Sequence, residues 1–76
     1  MPNNLAARLA RWTEVFNAIG SPLAAGLLHK ASAAVAEGRK DAALARDLLS
    51  SAAARTTNHQ EAAAIMREAA GVLSED

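Results

Sequence analysis

The chain has 76 residues, eight basic and eight acidic side chains, and neither cysteine nor tyrosine. A chain of this size makes one domain at most and forms no disulfide. It shows no basic excess for phosphate binding and no apolar run near the roughly 20 residues that cross a bilayer. Residues classed as hydrophobic make up 51% of the chain, but 21 of them are alanine, which adds little apolar area and forms helix more readily than any other residue. Composition therefore predicts an all-α domain with a lean core.

The spacing predicts a first helix over residues 4–19. Leu5, Leu9, Trp12, Phe16 and Ile19 fall in one stripe with 4-3-4-3 spacing, flanked by Val15 and the stem of Arg8. Thr13, Glu14 and Asn17 lie opposite. Asn3 or Asn4 serves as the N-cap, and Gly20 takes the left-handed stop position. The start is amphipathic, arginine-bearing and free of acid until Glu14, as mitochondrial presequences are. A structured first helix accounts for it equally well. The arginines also interrupt the apolar region that a secretory signal needs.

Ser21-Pro22 opens a second helix over 22–37, with Ser as cap and Pro at the first helical position, where its missing N–H costs nothing. Leu23, Leu27, Leu28, Ala31 and Val35 share one broad side. Gly26, His29, Ala33 and Ala36 form a small-residue side, expected to meet a neighbouring helix or to be simply tolerated. Gly38 stops the helix. Asp41 caps a third helix over 41–55, which presents Leu44, Ala45, Leu48, Leu49 and Ala52 and ends on the cation Arg55. Thr56-Thr57-Asn58 breaks the pattern. Asn58 followed by Glu61 resembles a capping box for a fourth helix over 59–73, with Ile65, Met66, Ala69, Val72 and Leu73 on its apolar side.

Ala24, Ala31, Ala45, Ala52, Ala62 and Ala69 recur at seven-residue intervals on inward faces, so helices two to four are expected to pack closely. The expected architecture is all-α: a small antiparallel bundle of four short helices, Ala-rich and closely packed, forming a single domain over 1–76. A three-helix core crossed by helix one is the variant of this arrangement. No self-similar repeat extends beyond the alanines.

The inventory for catalysis is thin: no cysteine, no tyrosine, no glycine-rich phosphate loop and no Ser/His nucleophile motif. His29 and His59 stand thirty residues apart and make no metal motif. No enzyme activity, metal, cofactor or small-molecule substrate is expected. A helix-turn-helix reading fits Ala34 and Gly38 at the turn, but Glu37 and Asp47 occupy positions that should be apolar. Arg39, Lys40, Arg46 and Arg55 form at most a modest basic edge. Helical spacing also places Arg11 near Glu14, and Lys30 near Glu37, as solvated surface pairs.

What remains is protein binding. The expected function is that of an adaptor, co-chaperone or stoichiometric inhibitor that docks a helix on another protein, with Trp12, Phe16, Arg8 and Arg11 as the contact groups. The first reading of the Trp12–Phe16 stripe, and the favoured one for Trp12, is that it fills the middle of the chain's own bundle, because aromatics bury the most area per residue. A homodimer is preferred over a monomer, because a small bundle often completes its core with a second copy. The alternatives are a nucleic-acid-associated regulator using the basic edge, although no nucleic-acid partner is expected, and a structural subunit of a helical assembly. The expected location is cytoplasmic, with no membrane association.

Overall fold

A computed structural model describes residues 4–74. Four helices follow one another: α1 (Leu5–Ala18), α2 (Pro22–Ala36), α3 (Ala42–Arg55) and α4 (Gln60–Ser74). They form a small antiparallel bundle with extents of 32 × 22 × 20 Å. No strand occurs among the described residues.

Glycine ends the first two helices as the sequence predicts. Gly20 (φ 81°) and Gly38 (φ 69°) both adopt the left-handed conformation that a Cβ disfavours. At the end of α1, Ser21 N–H donates to the Phe16 carbonyl (2.8 Å) and Gly20 N–H to Asn17 (3.2 Å). At the end of α2, Arg39 N–H donates to Ala34 (2.9 Å) and Gly38 N–H to Val35 (3.1 Å). Both are Schellman motifs, which satisfy the orphan carbonyls of a last turn. The α3 end has no glycine; there Thr56 Oγ1 donates to the Ala52 carbonyl at 3.0 Å.

The N-termini depart more from expectation. Asp41 caps α3 through its side chain, accepting from Leu44 N–H at 3.0 Å. Ser21 makes no such bond, and neither does Asn4, whose backbone is left-handed (φ 54°) and contributes only its carbonyl, to Arg8 N–H. Asn3 lies outside the described residues. Helix α4 begins at Gln60, and His59 supplies the carbonyl for Ala63 N–H. That start leaves Asn58 one residue too early to close a capping box with Glu61.

Two helical hairpins, α1–α2 and α3–α4, pack along their lengths and then against each other. Helices α2 and α4 also meet across the diagonal, whereas α1 and α3 do not approach through their main chains. Small side chains explain the asymmetry. All six alanines of the seven-residue pattern are buried, none more than 2% exposed, and Ala25, Ala34, Ala63 and Ala70 join them. Bulk is supplied by Phe16, Leu9, Leu28, Leu48, Met66 and Leu73, all fully enclosed. No polar or charged residue is buried among those described, so the core is held by apolar burial and close packing.

Four residues expected inside face out: Leu23 (86% exposed), Ile19 (54%), Leu49 (48%) and Val72 (37%). Ile19 lies beyond the last residue of α1, where the helical phase no longer applies. Leu23, Leu49 and Val72 each sit about 80–110° around their helix from the centre of the buried stripe, at its margin. The small side of α2 opens to solvent as well: a Cβ on Gly26 would meet nothing within 4 Å. Among the described residues nothing packs directly on Gly26.

Candidate functional site

On α1, Arg8, Arg11, Trp12 and Val15 follow i, i+3, i+4, i+7 spacing and share one edge of the helix. On α4, Glu61, Ala64 and Ile65 do the same. The two edges enclose an open groove of about 520 Å³. Three of the four residues singled out by the sequence meet there, and they stand over an apolar floor of Val15 and Ile65.

Phe16, the fourth, does not reach the groove. It is 1% exposed, beneath Trp12, with the two ring centroids 5.6 Å apart. Its other faces are taken as well. The His59 ring meets it edge-on at 5.2 Å, and the Arg55 guanidinium lies 5.3 Å from its centroid. The aromatic stripe therefore splits between two roles. Phe16 belongs wholly to the interior, while Trp12 is half-buried, packing on the core from one side and bordering the groove on the other. The indole N–H of Trp12 donates to no group among the described residues.

The two arginines also differ. Arg8 reaches across to α4, its Nη2 donating to Glu68 Oε2 at 3.1 Å and Oε1 at 3.3 Å. Its Nε is shielded from solvent and has no acceptor among the described residues. Arg11 is exposed and makes no ion pair among the described residues; the expected pair with Glu14 does not form. Nor does Lys30 pair with Glu37, whose carboxylate accepts from Arg39 Nε at 3.0 Å.

The basic edge is largely engaged within the chain. Arg39 faces Glu37 and, at 3.9 Å, Asp41. Lys40 donates to the Val72 carbonyl at 3.0 Å, and Arg55 to Ser51 while covering Phe16. Arg46 makes no such contact among the described residues. Among the described residues no three His, Cys, Asp or Glu side chains converge on a metal-sized site, and no helix is long and apolar enough to cross a membrane.

The sequence gives no local sign of Glu68 as the partner of Arg8, sixty residues away, nor of His59 and Arg55 as the cover of Phe16. Ile65 was legible as apolar, but its place beside Trp12 depends on how α4 docks. Comparison with family models, with curated proteins and with solved structures finds no match to this chain.

Proposed function

We propose that this protein is a binding module that docks stoichiometrically on another protein through the α1–α4 groove. One observation carries the reading: Trp12 and Arg11 stand together, exposed or half-exposed, over Val15 and Ile65 in a groove that stays open among the described residues. Tryptophan and arginine are the side chains that contribute most when an interface desolvates them. Among the described residues Arg11 has no carboxylate partner, and the Trp12 indole N–H has no acceptor. The matching partner segment is one that lays an apolar side chain on Val15 and Ile65 and sets a carboxylate beside Arg11. Glu68 holds Arg8 in place as one wall of the groove.

The test compares the wild-type chain with Trp12→Ala and Arg11→Glu as immobilised baits in lysate of the source cells. Each bait's thermal midpoint is measured in parallel. The expected result is a protein retained by the wild type and lost from both variants, with Arg11→Glu melting as the wild type does. Loss of capture that simply follows the melting temperature across the panel would overturn the reading and return Trp12 to a core role.

A further inference from the structure

A second groove, of about 550 Å³, runs between α2 and α3 on a different side of the molecule. We propose that it is the contact between two copies of this chain, arranged about a two-fold axis parallel to the groove. Its α2 bank is large and positive, with the nearly bare Leu23 followed by Leu27 and Lys30. Its α3 bank is small and negative, with Asp47 at one end and Ala54 at the other. Because the helices are antiparallel, Lys30 is level with Asp47, and Leu23 is level with Ala54. Among the described residues neither Lys30 nor Asp47 forms an ion pair or a side-chain hydrogen bond.

A rotation of 180° about an axis along the groove lays the α2 bank of one copy on the α3 bank of the other at the same level. Each Leu23 then falls over Ala54 of the second copy, and each Lys30 over its Asp47. Every contact occurs twice, as an isologous interface requires. Gly26 lies on the same stripe, and no neighbour within the chain accounts for it. Glycine is a poor helix former, and a second helix backbone lying close gives that position a use. A partner of uniform charge would satisfy only one bank, so the opposed charges favour a second copy over a foreign acidic or basic helix.

The experiment is sedimentation equilibrium of the full chain from about 10 μM to about 1 mM, the range over which interfaces of modest size form. The expected mass at the upper end is twice the 7.9 kDa of one chain. Leu23→Asp should leave a folded monomer, since that side chain makes almost no contact within its own copy. Lys30→Asp and Asp47→Lys should each weaken association by about tenfold or more, because each swap sets like charges together twice. The double variant Lys30→Asp/Asp47→Lys should restore it. A monomer throughout the range would overturn the proposal. So would a dimer indifferent to Leu23→Asp, or a double swap that fails to rescue. A dimer abolished by Trp12→Ala but untouched by Leu23→Asp would also overturn it, by moving the self-contact to the α1–α4 groove.

Discussion

The Arg55 guanidinium lies 5.3 Å from the centroid of the Phe16 ring, so the last residue of α3 covers the aromatic centre of α1. Arg55 is oriented from behind, its Nη1 donating to Ser51 Oγ at 2.9 Å. A cation over an aromatic face is worth about 0.5–1 kcal/mol at a partly exposed site. Arg55→Ala should therefore lower stability by about 1–2 kcal/mol once the lost packing of its stem is included. Phe16→Ala removes a fully enclosed ring and should cost about 3–5 kcal/mol. A domain of this length holds only about 4–11 kcal/mol in total, so that variant should be largely unfolded at moderate denaturant. Urea titration followed by Trp12 fluorescence reads both, and a Phe16→Ala midpoint close to wild type would contradict the burial of this ring.

Glycines at two kinds of position should respond in opposite directions. Gly71 lies within α4, and a Cβ there would meet nothing within 4 Å. Gly71→Ala should raise stability by about 0.5–1 kcal/mol. Gly38 holds φ 69° in a Schellman turn, and Gly38→Ala should lower stability by about 1–2 kcal/mol. Thermal midpoints moving apart, by about 4–8 °C per kcal/mol for a chain of this size, would confirm the pair.

The close approach of α2 to α4 predicts intolerance to bulk. Ala31 and Ala69 are both fully enclosed. Ala31→Leu or Ala69→Leu should each destabilise by about 1–3 kcal/mol, since added methylenes must push packed helices apart. Ala53→Leu, on the exposed side of α3, should stay within about 0.5 kcal/mol of wild type. Equal tolerance at all three sites, measured by chemical denaturation, would mean that the alanine faces are not tightly packed.

The Arg8–Glu68 pair should contribute little to folding. Both side chains are about two-fifths exposed (40% and 39%), and exposed pairs are worth about 0–1 kcal/mol. Glu68→Gln should therefore leave the melting temperature within a few degrees of wild type. Should partner capture fall in that variant while the fold holds, Glu68 acts by fixing Arg8 in the groove wall. Capture unchanged would show that the position of Arg8 does not matter to docking.

Helix-ending chemistry and periodicity made the architecture readable. Gly20 and Gly38 stop helices where the sequence places them, Asp41 caps α3, and the heptad alanines all turn inward. Each of these is decided by residues within one or two turns of one another. The stripe margins were less readable, because a residue about 80–110° from the centre of a face is buried or bare according to how neighbouring helices tilt. Leu23 and Leu49 are such cases. Least readable was the grouping of side chains from different helices. Arg8 with Glu68, and Phe16 with Arg55 and His59, depend on the docking of the two hairpins, for which no local spacing gives a signal. Trp12 and Phe16 look equivalent on a helical wheel, and only the position of the α3–α4 hairpin sends one inside and leaves the other at the groove.

The turn before α3 is tied to the far end of the chain: Asp41 N–H donates to the Leu73 carbonyl at 3.1 Å, next to the bond from Lys40 Nζ to Val72. An amide that belongs to no helix is thereby shut away from deuterium only while the final coil of α4 stays seated. The exchange rate of that one proton reports the undocking of the α4 end from the start of α3, an opening inside the second hairpin, and gives the domain an internal gauge of how that hairpin comes undone.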